Sequence, residues 1–269
     1  MGKYDKLFLA GLAFFMASFY TQAQEPLSYQ IPPSSIVDLV DAPLTPVVSF
    51  SRNGDFIILL ERETRPGIEE LAKPELRIGG IRIDPRSNGP SRESTYKGIT
   101  VKNIRTQKRS PVTGLPPDPK LQNISLSKDE KYLAFTHRDT DGISLWLVNL
   151  DTLVARQLTG DIVNAAYGNS LVWTPDNKLL IKTINPNRGE LPKSPQTPIG
   201  PNLQETAGNA APSRTYQDLV SNPHDEALLE YYLNAQLMLV DLQGKKAPLA
   251  DAGMIKSFSL SPDGQYLTV

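Results

Sequence analysis

Two histidines, no cysteine and a handful of clustered acids are the side chains in these 269 residues whose chemistry needs explaining. His137 lies in FTHRDTDG, with Asp139 and Asp141 two and four residues on. That spacing suggests a small divalent-ion loop, or a histidine oriented by a carboxylate. A calcium loop needs more oxygen ligands than this one offers, and Asp-Gly is the pair expected in a polar hairpin turn. The turn is the preferred reading. His224 adjoins Asp225 at the start of an expected helix, where first-turn acids answer the helix dipole without any catalytic duty. Glu69–Glu70 and Asp225–Glu226 are adjacent on helical pieces and point in different directions. Neither pair can therefore share one substrate atom as glycosidase acids do. The absence of cysteine removes thiol nucleophiles and Cys-ligated metals. GIRID and GPSRE lack phosphate-loop spacing, and no G-x-S-x-G nucleophile turn occurs anywhere. The expectation is a chain with no catalytic, cofactor-binding or metal-ligating residue of its own, and no cofactor.

The elements that would position any site follow from composition and repetition. Charged residues are 21%, hydrophobic ones 39%, and the net charge is -1, so nucleic acid and anionic lipid find no whole-chain electrostatic footprint. The charge is uneven: Arg62–Arg109 holds 12 Lys/Arg and 6 Asp/Glu, a local +6 against -7 elsewhere. Such a segment reads as solvated surface or as a contact with another domain, in preference to a lure for acidic peptides. Twenty-three prolines suggest many connections.

One pattern recurs four times: VVSFSRNGDFIILLE from Val47, QNISLSKDEKYLAFT from Gln122, SLVWTPDNKLLIKT from Ser170 and IKSFSLSPDGQYLTV from Ile255. Each is an alternating apolar run, a four-residue turn and a second alternating run, which is a β-hairpin. The second copy continues through Ile143–Leu150 and ARQLT, making four short antiparallel strands in about 40 residues, the size of one β-propeller blade. Met238–Ala250 repeats the closing hairpin. Ser127 to Thr174 spans one such unit, whereas Ser51–Ser127 and Thr174–Ser261 are longer and require insertions or additional divergent strands. The first contains a short helical piece at Ile68–Leu76, interrupted at Pro74. The second contains a loop over Asn185–Pro223 with seven prolines, then a helix over Pro223–Tyr232.

Residues 1–23 carry Lys3 and Lys6, an apolar run from Leu7 to Tyr20, and small side chains ahead of a cleavage position after Ala23. They read as a secretory signal peptide, too short to span a membrane. The product is expected to be exported, periplasmic or secreted.

Two long blocks carry a resemblance. YQIPPSSIVDLVDAPLTPVVSFSRNGDFIILLERETRPGIEELAKPELRIGGIRIDPRSNGPSR (Tyr29–Arg92) and GPNLQETAGNAAPSRTYQDLVSNPHDEALLEYYLNAQLMLVDLQG (Gly200–Gly244) resemble parts of secreted and plastid glutamyl endopeptidases. These are serine peptidases of the prolyl oligopeptidase family. The resemblance implies an N-terminal β-propeller that restricts access to an α/β-hydrolase domain bearing a Ser, Asp, His triad, with peptides as substrates. Nothing in this chain matches the hydrolase domain. The expected organisation is a signal peptide at 1–23 and an incomplete N-terminal propeller at 24–269, with the catalytic domain missing. In fold class this is an all-β, partial (open) propeller of four-stranded antiparallel blades with long loop and helix insertions. Four or five blades are expected, with apolar faces exposed at the break and a tendency to aggregate. The partners implied are peptide substrates in the complete protein and the α/β-hydrolase domain, with no nucleic acid and no membrane beyond the signal. The alternative is a stand-alone exported propeller that binds a peptide or protein partner.

Overall fold

The computed structural model describes residues 30–63, 65–195, 208 and 218–269. Residues 1–23, read above as a signal peptide, and the RTYQ stretch at 214–217 lie outside the described residues. Two compact units are present, Met1–Ala42 and Pro43–Val269. In the first, the described part is one short helix, α1 (Ser34–Val40), which follows Pro33 and buries no residue.

The second unit is built from hairpins. β1 (Val47–Phe50) and β2 (Phe56–Arg62) pair antiparallel across the turn at Ser51. A detour follows, with α2 (Ile68–Leu71) and then β3 (Leu76–Ile78), β4 (Ile81–Asp84) and β5 (Gly89–Pro90), which form a small antiparallel sheet of their own. The helical piece ends at Leu71, short of Pro74, and Leu76 begins β3 instead. β6 (Tyr96–Asn103) returns to pair with β2, and β7 (Arg109–Pro111) closes a four-stranded meander. The second meander is uninterrupted: β8 (Leu121–Leu126), β9 (Tyr132–Arg138), β10 (Ile143–Asn149) and β11 (Val154–Gln157). Tyr96 pairs with Leu121, and Thr113, just after β7, bridges to Val154 of β11, joining it to the first. The third meander has β12 (Leu171–Trp173) and β13 (Leu179–Ile184), then α3 (Pro223–Leu233), then β14 (Asn234–Val240) and β15 (Lys246–Pro248). β16 (Gly253–Met254) adds to the start of β14, and a last hairpin joins β17 (Ser259–Leu260) to β18 (Leu267–Thr268).

The described residues thus hold three four-stranded antiparallel meanders and one further hairpin. The two long intervals, Ser51–Ser127 and Thr174–Ser261, hold more than the strands of one meander. Their residues go into the β3–β5 sheet and into α3 with its approach, which are insertions between the second and third strands of a meander.

The meanders stack face to face, and strand alternation shows it. Leu133 and Phe135 of β9 pack with Ile58, Leu60 and Ile99 of the first meander. Their neighbour Ala134 joins Leu145 and Leu147 against Leu171, Trp173, Leu179 and Ile181 of the third. On β13, Leu179 and Ile181 face the second meander, while Leu180 packs with Leu237, Ile255 and Phe258 toward the final hairpin. A period-2 strand places successive side chains on opposite faces, so sheets apolar on both faces must be covered on both. Each fully buried Leu, Ile or Phe contributes roughly 1.5–3 kcal/mol. The first strands come close as well: Trp173 Nε1 donates to the Ser125 carbonyl at 3.1 Å.

The repeated turn is a small machine of hydrogen bonds. Its first residue, Ser51, Ser127, Thr174 or Ser261, accepts through its hydroxyl from the backbone N–H where the second strand begins. In the last three copies that hydroxyl donates to an aspartate two residues on, Asp129, Asp176 or Asp263. The Ser261 hydroxyl holds the Asp263 carboxyl below its usual range; at Asp176 the Lys178 ammonium does so first and the Thr174 hydroxyl second. The fourth position is left-handed in every copy, at Gly54, Glu130, Asn177 and Gly264. Glutamate is a poor occupant of that conformation. Glu130 stays because its carboxylate accepts from the backbone N–H groups of Arg52 and Asn53 in the preceding turn, tying two meanders together.

One buried charge stands in the third meander. Lys182 on β13 is 1% exposed, and its ammonium donates to the carbonyls of Tyr167 and Ile255. Burial alone pulls its pKa down to about 8 from the ordinary 10.5. Between those values the unfolded chain keeps a proton that the folded chain has released, so stability rises with pH across the window. At about 1.36 kcal/mol per pKa unit, the full rise is roughly 3 kcal/mol. Urea unfolding at pH 7.5 and 9.5 should show the wild type gaining stability where Lys182→Met gains far less. Equal slopes in the two proteins would refute the assignment.

Candidate functional site: a cap made by two insertions

In an up-and-down meander, the turn after the first strand and the turn after the third lie at one end. The loop between second and third strands lies at the other, with the connections to the next sheet. Both long insertions use that second position, so the β3–β5 sheet and α3 emerge at the same end of their meanders. There they meet. Ile78 and Ile83 pack with Tyr232 and Ala166, flanked by Val220, Leu228 and Leu229.

Helix α3 forms as its sequence requires. Asn222 caps it by accepting from the Asp225 N–H at 3.0 Å, Pro223 opens it, and Asp225 and Glu226 occupy its first turn. Polar contacts then fasten the two insertions. The carbonyl of Tyr232 receives the side-chain amides of Asn88 at 3.3 Å and Asn164 at 2.9 Å. Arg188 donates to the Asn88 side-chain oxygen and lies 3.9 Å from the centroid of Tyr231, a cation–π geometry. The cap is also tied down to the intervening second meander. Arg86 pairs with Asp141 at 2.6 Å, and Arg138 donates to the Pro90 carbonyl at 3.0 Å and to Glu70 at 2.5 Å.

The residues singled out from sequence are drawn into this framework singly. His137 sits buried in β9, edge-on to Trp146 at 6.3 Å. Burial is the main influence lowering its pKa; a hydrogen bond to the Asp118 backbone and the carboxylates of Asp139 and Asp161 oppose it. Asp139 accepts from the Thr140 N–H in its own turn, and Asp141 is taken by Arg86. Asp225 accepts from Ser221 N and Asn222 Nδ2 as part of the helix cap, not from His224. Among the described residues no three His, Cys, Asp or Glu side chains converge to hold a metal ion. Glu70 departs from the solvated face expected of it. Its partner Arg138 has a side chain only 2% exposed, and Lys73 and Lys120 also lie within ion-pair distance. No local pattern links Glu70 to Arg138, which lies 68 residues away, so sequence reasoning could not find the pair.

The basic segment is divided by the fold. Arg77, Arg82, Arg86 and Arg92 belong to the cap, whereas Arg105, Lys108 and Arg109 lie in the β6–β7 hairpin at the opposite end. In the cap, one covered carboxylate collects three guanidinium groups: Glu75 lies 2.7 Å from Arg77, 3.5 Å from Arg92 and 3.7 Å from Arg82. The Ser91 hydroxyl first, and then Arg77, keeps the Glu75 carboxyl below its usual range.

Beneath the cap is an open cavity of about 240 Å³. Ile81, Arg82, Pro90 and Glu93 line it from the insertion, Asn123 from the first strand of the second meander, and Ala165–Gly168 from the connection to β12. Its side-chain polar groups are the Arg82 guanidinium, the Glu93 carboxylate, the Asn123 amide and the Tyr167 phenol, which can hydrogen-bond a small polar ligand.

No family model matches this chain. Over 256 residues it is 35% identical to the "Probable glutamyl endopeptidase, chloroplastic" of Oryza sativa subsp. japonica, a match covering 90% of this chain and 27% of that protein. The protein of the same name from Arabidopsis thaliana is 36% identical over 253 residues, covering 90% of this chain and 26% of the relative. Among solved structures, an acylaminoacyl peptidase complexed with Z-Gly-Gly-Phe-chloromethyl ketone aligns at a TM-score of 0.42 with 12% identity, over 83% of this chain and 27% of that one. TolB from Acinetobacter baumannii aligns at 0.35 with 11% identity, over 92% and 57%. At such TM-scores the fold stands on its own sheet geometry. The chain spans about a quarter of the length of the curated relatives it matches. On the sequence identity, this protein is a relative of the glutamyl endopeptidases, matched to one segment of those longer peptidases.

Proposed function

We propose that the stacked meanders are blades of an open β-propeller, and that this chain is the N-terminal, access-restricting part of an exported glutamyl endopeptidase-like serine peptidase. Identity of 35% across 90% of the chain carries the reading. Face-to-face stacking of successive meanders supports it, since blades pack this way around an axis. The chemistry would be acyl transfer to a serine and then to water. It would reside in an α/β-hydrolase domain whose nucleophile turn these 269 residues do not contain. The cap would restrict which peptides reach that domain.

Purified residues 24–269 are expected to leave Glu-containing fluorogenic peptides uncleaved. Turnover by that chain, abolished by a serine-directed phosphonate, would overturn the assignment. A reading frame continuing beyond Val269 into a G-x-S-x-G segment is the matching genetic result; a stop there would favour a stand-alone binding propeller. Export is tested by N-terminal sequencing of the extracytoplasmic protein, which should begin at Gln24. Among the described residues, no helix is long and apolar enough to cross a membrane.

A further inference from the structure

We infer that the cavity beneath the cap binds a short zwitterionic peptide, with Arg82 reading its carboxylate and Glu93 its amino group. At about 240 Å³ the space is below the ~300–1,000 Å³ of pockets for drug-sized ligands, so its occupant is small. The two charged side chains lining it have opposite signs and keep hydrogen-bonding capacity. Arg82 has a side chain 47% exposed and lies 3.7 Å from Glu75, too far for a hydrogen bond. The Glu75 carboxylate is already engaged by Arg77 at 2.7 Å and by the Ser91 hydroxyl at 2.8 Å. Arg82 therefore keeps its fork of donors for a planar carboxylate. Glu93 is exposed and accepts one hydrogen bond among the described residues, from Gln122 Nε2 at 3.2 Å, leaving acceptor capacity for an ammonium group.

A third observation selects a peptide over other zwitterions. The β8–β9 ladder changes register between Gln122 and Ser125, so Asn123 and Ile124 fall outside the pairing, and Asn123 is left-handed at φ 50°. A bulge of this kind leaves backbone polar groups without strand partners, here beside the cavity that Asn123 lines. A peptide's own amide can pair with them. Of the remaining walls, Ile81, Pro90, Ala165 and Ala166 are apolar and accept small side chains without demanding a particular one, and Tyr167 adds an aromatic ring.

The test is calorimetric titration of the full chain with Ala-Ala, its N-acetyl form, its C-amide and the doubly blocked dipeptide. Ala-Ala should bind, either block should weaken binding at least tenfold, and the doubly blocked peptide should not register. In Arg82→Gln the C-amide should bind as well as the free acid, and in Glu93→Gln the N-acetyl form should bind as well as the free amine. Both side chains are exposed at the rim, and circular dichroism confirms that each variant is folded. Equal affinity of wild type for free and doubly blocked dipeptides, or no binding of Ala-Ala at millimolar concentration, would overturn the inference. The wild-type titrations decide this even if a variant fails to fold. The proposal does not rest on the peptidase reading: an inert chain leaves it standing, and failure to bind dipeptide leaves that reading standing.

Discussion

Leu180→Ala and Ile181→Ala, adjacent on β13, should each destabilise the protein by about 2–5 kcal/mol, yet loosen different parts of it. Both side chains are fully buried. Leu180 packs with Leu237, Ile255 and Phe258, with Leu260 and Leu267 of the last hairpin against that cluster. Ile181 packs with Leu145, Leu147, Leu171 and Trp173 between the second and third meanders. Native-state amide exchange should therefore show Leu180→Ala releasing Ser259–Leu267 while β9 and β10 stay protected. Ile181→Ala should accelerate exchange in β10 and β12 instead. Identical exchange maps would mean that the meanders do not unfold as separately packed layers. The expectation follows from sub-global opening, in which a cavity lowers the protection of the unit that lines it.

Gly168→Ala should be among the most damaging single substitutions in the chain. Gly168 has φ +70°, and an added Cβ would lie 1.9 Å from the Lys256 carbonyl oxygen. The left-handed conformation alone costs an alanine roughly 1–2 kcal/mol, and the overlap is with backbone that cannot swing aside. Gly54 is the matched control, with φ +71° and nothing within 4 Å of its would-be Cβ. Gly54→Ala should therefore cost about 1–2 kcal/mol in urea unfolding, whereas Gly168→Ala should cost several times as much or prevent folding. Comparable losses at the two positions would show that the approach of Lys256 to Gly168 is not maintained in solution. The contact matters for the site, because Gly168 lines the cavity while Lys256 leads into the last hairpin.

Hairpins and their turns could be read directly from local pattern. Ser, Asp and Gly at fixed offsets close a turn through bonds spanning five residues or fewer, so Ser127–Tyr132 needs nothing distant to form it. Helix α3 was equally legible, because Asn222, Pro223, Asp225 and Glu226 are its own start signal. Glu130 is the instructive exception. Its side chain violates the local preference for Gly or Asn at the fourth turn position, and the compensation comes from Arg52 and Asn53 in the preceding repeat. The content of the insertions was hidden for a related reason. A β-rich insertion and a blade strand have the same alternating pattern, and only pairing partners separate β3–β5 from the meander they interrupt.

What the sequence by itself determined is the repeating strand-turn-strand unit, the places where insertions enter and the kinship with glutamyl endopeptidases. These depend on residue type and short spacing. What only the tertiary structure decided is that the two insertions close over the second meander. Arg138 and Glu70, Asn88 and Tyr232, and Arg86 and Asp141 thereby come together, with a cavity left between Arg82, Glu93 and Asn123. Those pairs are separated by 68, 144 and 55 residues. Contacts at such separations leave no periodic trace, since each depends on how whole sheets stack and not on which residues are neighbours in the chain.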